Sequence, residues 1–239
     1  MMAEAQFGGA TDATSAATTV RLRRRTPSAA SSDYGSLVLR GGAPARLRPE
    51  LLHPAIFVDK DSTLIPDLAY NVDPERISLH PFAARGLRLL QARGYALFMM
   101  SNQSGVARGM FDESALHPVT RRIDTLLARE QVALSGYYFC PHHPEGTVAP
   151  YAIKCECRKP LPGLIHRAAA EHGIDLSRSW MIGDILNDVE SGRRAGCRTV
   201  MISSGNETEW QLSPLRRPHL ITFNLFRAAE AILLADAPH

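Results

Sequence analysis

No stretch of the chain approaches the roughly 18 to 20 consecutive apolar residues that cross a bilayer, and its beginning lacks the basic-then-apolar order of a secretory signal. The sequence therefore predicts a cytoplasmic protein without membrane contact. Charge of one sign is also scarce: 27 basic against 24 acidic residues leave a formal net charge of +3. Seven arginines and four acids fall in the first fifty residues, so the remainder is nearly neutral and lacks the basic footprint of a nucleic-acid binder. Cysteine is limited to four residues, three of them within eighteen positions. In a reducing compartment that clustering points to metal binding rather than disulfides. There is no G-x-x-x-x-G-K-[ST] loop, which excludes a P-loop kinase, and there is no internal repeat. Lysine is nearly missing, 3 residues against 24 arginines, a trait of genome composition that says nothing about fold.

What is present is a 239-residue chain with 45% hydrophobic residues, enough for a substantial core. Residues 1–50 are rich in Ala, Ser, Thr, Gly and Arg without a stable apolar period, and are read as a disordered extension. Within them "VRLRRR", Val20 to Arg25, has the composition of a phosphate-binding patch or a transit peptide, but a solvated charge run is the favoured reading. The folded domain is assigned to 51–239.

Short continuous apolar runs then alternate with amphipathic stretches. "AIFVD", "YALFMMS", "GYYFC", "WMIGD" and "TVMIS" read as strands. Helices are expected over Pro81 to Gly94, Glu113 to Glu130, Gly163 to Gly173 and Asn187 to Gly196, and "HLITFNLFRAAEAILL" closes with a short strand and a helix. Buried strands separated by helices predict an α/β fold: a mainly parallel central sheet in a Rossmann-like three-layer sandwich. Ligands of such sheets sit beyond the carboxyl ends of the strands. Asp59 and Asp61 follow the first strand, Ser101 and Asn102 the second, and Asp184 ends "WMIGD", so one crevice receives them all.

Three acids at one sheet edge repel unless a cation lies among them, and hard oxygen ligands suit Mg2+. One carboxylate can then attack phosphorus, while the other acid of the D-x-D pair exchanges protons with the leaving alcohol and with water. Ser101, Arg158 and Lys159 supply the donors and positive charge that phosphoryl oxygens need. Alone, D-x-D is better explained by an Asx turn, and Asp184 by a helix cap; their order along the chain favours the chemical reading. Asp188 is open between a water-mediated metal contact and simple placement near a helix N-terminus.

"DKDST", "SNQSG", "RKP" and "GDILND" together resemble the haloacid dehalogenase (HAD) superfamily of phosphotransferases. The resemblance implies Asp59 as nucleophile, Asp61 as general acid/base, Ser101 and Lys159 as phosphoryl stabilisers, and Mg2+ held by Asp59, Asp184 and the Asp61 carbonyl.

"CPHHPEGTVAPYAIKCECRKP" carries Cys140, His142, Cys155 and Cys157. Three thiolates and an imidazole match a closed, structural Cys3His zinc site, which would pin the loop and so position Arg158 and Lys159. His143 is the rival imidazole. Cys197 reads as a core residue.

This loop, with "YYFCPHHPEG" and "SNQSGVARG", resembles the heptose bisphosphate phosphatase branch of the superfamily over residues 55–205, with histidinol phosphatases as kin. The branch implies no large cap domain, the substrate instead being enclosed by loops that here would be Asp67 to Val72, Ser104 to Phe111, and Cys140 to Cys157. It implies that Asp67 and Tyr70 border the sugar, that Ser101, Asn102, Gln103 and Ser104 line the phosphate end, and that Arg158 recognises the substrate's second charge or its hydroxyls. Two positions depart from the pattern: Ser62 replaces a usual Gly, and Ile185 replaces a usual basic residue.

The expected protein is thus a monomeric, Mg2+-dependent sugar-phosphate phosphatase acting on the C7 phosphate of a heptose bisphosphate. A phosphatase for histidinol phosphate or another small phosphomonoester is the alternative enzyme. A zinc-stabilised binding module without turnover is the alternative of another class.

Overall fold

The structure is a computed structural model and describes residues 52–237. The segment read as an N-terminal extension, with its "VRLRRR" run, lies outside the described residues.

Each continuous apolar run forms a strand, and all six strands are parallel: β1 (Ala55–Asp59), β2 (Ala96–Asn102), β3 (Gly136–Cys140), β4 (Trp180–Gly183), β5 (Arg198–Ile202) and β6 (Leu220–Thr222). Their order across the sheet is β3-β2-β1-β4-β5-β6. Among the described residues four helices connect successive strands from β1 to β5, α1 (Ala83–Gln91), α2 (Leu116–Arg129), α3 (Gly163–His172) and α4 (Leu186–Ala195); a loop joins β5 to β6, and α5 (Leu225–Ala235) follows β6.

The side-chain period of two sorts each strand's residues between two cores. Ile56, Val58, Leu97, Met99, Ile182 and Val200 pack on one face with Leu87 and Leu90 of α1, Ile123 and Leu127 of α2, and Ile232 of α5. Ala55, Phe57, Phe98, Met100 and Met181 pack on the other with Leu164, Ile165 and Ala168 of α3. The result is a helix–sheet–helix sandwich. Chain order reverses direction at β1, which lies between β2 and β4. That reversal opens a crevice beyond the carboxyl end of β1, where the two flanking connections leave toward opposite faces.

Among the described residues no separate cap domain is inserted, and the connections on the crevice side are loops, 60–82, 103–112 and 141–162, with short 3-10 turns. Several boundaries differ from expectation by one to three residues: the helix expected from Glu113 is preceded by a 3-10 turn, Glu113–Ala115, and starts at Leu116. The helix expected from Pro81 begins only at Ala83, because Phe82 sits in the left-handed region at φ 66° and so cannot join the helix. Ser62 is also left-handed, at φ 60°. An L-residue there carries a strain of about 1 kcal/mol that glycine avoids, so the Ser62 departure has a real backbone consequence. No helix among the described residues is long and apolar enough to cross a membrane.

Candidate active site

Strand register brings the candidate residues to one edge of the sheet. Asp59 ends β1 opposite Met100, and Asn102 ends β2 opposite Cys140. Asp184 follows β4 directly, and Asp188 lies in the first turn of α4. One oxygen from each of Asp59, Asp184 and Asp188 comes within 4.8 Å of the others. All three residues are buried, Asp188 completely. Gly183 makes this approach possible: a Cβ there would stand 2.3 Å from the Asp188 side chain.

Among the described residues, Lys159 is the cation that pairs with the cluster. Its Nζ pairs with Asp59 and with Asp188 and touches the Met100 carbonyl at 3.4 Å. Burial opposes its charge, but Asp188 and Asp59 outweigh burial and hold its pKa above the usual lysine range. For Asp59, burial is the largest influence and pushes the carboxyl well above its ordinary pKa; Lys159 acts against it, and Asp188, Asp61 and Asp184 reinforce it. Burial, then Asp188, pushes Asp184 up to about 6. Three carboxylates thus face one ammonium in a dry site, and Asp188 Oδ1 has no aligned hydrogen bond of its own. Oxygen donors with this surplus of negative charge fit a hard divalent cation.

The Asp61 carboxylate stands apart from the trio. It pairs with Lys60 Nζ at 2.9 Å and accepts from Gln103 Nε2 at 3.3 Å. Gln103 Nε2 also donates to Ser101 Oγ at 2.6 Å, so a buried amide links the two groups. Asn102 has a different task from its neighbours. Its Nδ2 donates to the Lys159 carbonyl at 3.1 Å, and its Oδ1 accepts the Lys159 N–H at 3.0 Å. This two-point clamp fastens the backbone of the lysine to the end of β2.

The cysteine loop closes beside it. Sγ of Cys157 lies 3.1 Å from Cys140 and 3.3 Å from Cys155, and Cys155 lies 3.5 Å from Cys140. His142 Nδ1 is 3.2 Å from Cys157. Ligands of a tetrahedral zinc with Zn–S bonds of about 2.3 Å stand roughly 3.8 Å apart, so three free thiols and one imidazole are gathered nearly as such a site requires. His143 turns away: its Nδ1 accepts from the Glu145 N–H at 3.2 Å, and its Nε2 lies 3.4 Å from Arg108. Of the two imidazoles, His142 is the one that lies with the three thiols.

The loops on the crevice side touch one another. Thr147 and Val148 of the cysteine loop both donate to the Ala107 carbonyl, at 2.8 and 3.0 Å, and the rings of Phe111 and Tyr70 lie over the Gly105 backbone. Arg158 and Arg108 flank His143 and lower its pKa after burial has done so. Asp67 and Ser104 lie on these loops, Asp67 exposed and Ser104 half-buried. Ile185 leaves the N-terminus of α4 without a side-chain acceptor, and Asp188 accepts its N–H at 3.3 Å.

Comparison with known proteins agrees with this geometry. Residues 156–228 match the HAD-hydrolase-like family. The D-glycero-beta-D-manno-heptose-1,7-bisphosphate 7-phosphatase of Yersinia pestis is 41% identical over 153 residues, 64% of this chain and 81% of that protein. The Salmonella typhi protein of the same name is 36% identical over 171 residues, 68% of this chain and 91% of its own length. The chain belongs to the heptose bisphosphate phosphatase family. Its fold matches the D,D-heptose 1,7-bisphosphate phosphatase of B. bronchiseptica, a structure complexed with magnesium and phosphate, with a TM-score of 0.66 at 28% identity, covering 77% of this chain and 99% of the other. Family membership makes this protein a phosphoric monoester hydrolase of the HAD type. Within the family's motifs, the residues missed by sequence reading are those that hold others in place: Thr63, whose hydroxyl donates to Asp184 Oδ1 at 3.3 Å, and Arg108 beside His143.

The clamp on Lys159 has a measurable consequence. Asn102→Ala removes both bonds, and a reacting group displaced by about 1 Å loses on the order of 10²-fold in rate. Steady-state hydrolysis of p-nitrophenyl phosphate is expected to show that fall in kcat; a variant with wild-type kcat contradicts the clamp.

Proposed function

We propose that the chain removes the C7 phosphate of D-glycero-D-manno-heptose 1,7-bisphosphate through a phosphoryl group carried on Asp59. The observation that carries this reading is the convergence of Asp59, Lys159, Asp184 and Asp188 beyond β1 in a chain of this family.

Mg2+ held by Asp59, Asp184 and the Asp61 carbonyl, with Asp188 close by, would offset the carboxylates' charge and polarise the phosphoryl group. Asp59 attacks phosphorus with one carboxylate oxygen, and the bond from phosphorus to the C7 oxygen breaks. Asp61, protonated, gives its proton to that oxygen as it leaves. Asp61 then takes a proton from water, whose oxygen attacks the phosphorus of the aspartyl-phosphate, and inorganic phosphate departs with Asp59 restored. Lys159 and Ser101 bind the equatorial oxygens, where charge accumulates in the transition state. Gln103, bonded to both Ser101 and Asp61, keeps stabiliser and acid in one arrangement. Asp67, Tyr70, Asn102 and Ser104 border the bound sugar phosphate.

Cys140, His142, Cys155 and Cys157 hold a structural Zn2+ that orders the loop preceding Arg158 and Lys159. Arg158, joined by Arg108, recognises the phosphate that is not cleaved. Ile185 contributes no charge there, so these two arginines carry that recognition. Intact Asp59, Asp61, Lys159 and Asp184 favour an enzyme over a retired binding module, because clustered buried charges without function only cost stability.

Asp59→Asn is expected to lower phosphate release from the bisphosphate by at least about 10³-fold while zinc content and circular dichroism stay unchanged. Release from histidinol phosphate but not from heptose 1,7-bisphosphate by the wild-type protein would overturn the substrate assignment. For the loop, Cys157→Ser is expected to bring bound zinc well below one equivalent and to lower the unfolding temperature; wild-type zinc by elemental analysis contradicts the ligand set.

A further inference from the structure

Outside every motif that the sequence singles out, the loop between β5 and β6 reaches over the acidic cluster. Asn206 Nδ2 donates to Asp184 Oδ2 at 3.0 Å and to Ser204 Oγ at 2.7 Å. The Thr63 hydroxyl donates to the opposite oxygen, Asp184 Oδ1, at 3.3 Å. An ionised carboxylate only accepts, so the Asn206 amide must present its nitrogen rather than its oxygen. One donor on each oxygen fixes the plane of the Asp184 carboxylate and leaves further lone pairs on both oxygens for a cation.

The next residue acts on the other half of the cluster. Glu207 Oε2 accepts the Leu186 N–H at 2.6 Å. That N–H is one of the unpaired donors at the start of α4, where Ile185 offers no side-chain cap. Asp188 lies in the same first turn and is fully buried. Two successive side chains of one loop therefore hold Asp184 and the helix start that carries Asp188. Gly205 makes the reversal that turns Asn206 inward, at φ 88°, a conformation an L side chain adopts only under strain.

We propose that Asn206 is a positioning residue for the cation site, acting through Asp184, and that Glu207 supports it by fixing the N-terminus of α4. The proposal rests on reading the Asp59, Asp184 and Asp188 trio as a divalent-cation site. Partners of ligating side chains hold the ligand in its binding orientation, and their removal typically lowers metal affinity 10- to 100-fold. The competing view is that Asn206, an exposed residue, only decorates the loop, in which case water replaces its amide without consequence.

The test is titration of Mn2+, followed by electron paramagnetic resonance, into the zinc-loaded full chain. Wild type is expected to bind one Mn2+ at the acidic site. Asn206→Ala is expected to weaken that binding 10- to 100-fold, with Asn206→Gln, which keeps an amide, recovering part of the loss. Metal-free unfolding midpoints of the three proteins are expected to coincide, because the amide acts on a ligand and not on the core. The concentration of Mg2+ for half-maximal turnover should rise in step with the Mn2+ dissociation constant. Wild-type Mn2+ affinity in Asn206→Ala overturns the role of Asn206 and leaves the cation site standing. Failure of the wild-type protein to bind Mn2+, or binding undiminished by Asp184→Ala, overturns the cation reading beneath it.

Discussion

One lysine amid three buried carboxylates is the interaction on which the rest of the structure depends. Two like charges about 4.8 Å apart repel by roughly 3 to 4 kcal/mol at an effective dielectric near 20, and Asp59, Asp184 and Asp188 present three such pairs. Lys159 bonds two of the three acids directly. It offsets part of the repulsion but leaves a net negative site. The fold accepts this because the strands that deliver the acids are fixed by apolar packing on both faces of the sheet. A cluster that is costly for the isolated chain is thereby held in place by the packing around it.

Keeping the lysine in place takes more of the chain than the lysine itself. Lys159 lies on a long polar connection with little apolar surface to bury, and two devices replace a core there. The Asn102 amide clamps the Lys159 backbone to β2. The Cys140, His142, Cys155 and Cys157 cluster draws the two ends of the loop together. The same loop, through the Ala107 carbonyl, also holds the connection after β2. Order imposed by the cysteine cluster therefore spreads to both loops on the crevice side of the sheet.

The sheet was legible in the sequence because buried parallel strands are written as unbroken apolar runs; "AIFVD" and "GYYFC" match β1 and β3 residue for residue. The first helix start was not, because proline marks a first turn only when the next residue stays helical, and Phe82 does not. Motif order pointed to Asp59, Asp184 and Lys159 at one sheet edge, and the structure has them side by side, since each follows a strand end or a fixed loop. It left Asp188 ambiguous, because one acid in a helix's first turn serves as a cap or as a member of a cluster. Here it does both: it accepts the Ile185 N–H and pairs with Lys159. Asn206 carries no signal at all in the sequence. It lies in a polar loop more than twenty residues from Asp184, and only the way that loop folds back gives its amide a partner.

The central claim is that a divalent cation relieves the repulsion among the buried acids, and ligand binding to the folded state alone must then raise stability by mass action. The direct measurement is the unfolding midpoint of the zinc-loaded protein as Mg2+ is raised, for wild type and for Asp184→Ala. A midpoint that climbs steadily in wild type and stays flat in the variant is the predicted result. A wild-type midpoint indifferent to Mg2+, or an equal climb in both proteins, would contradict the account.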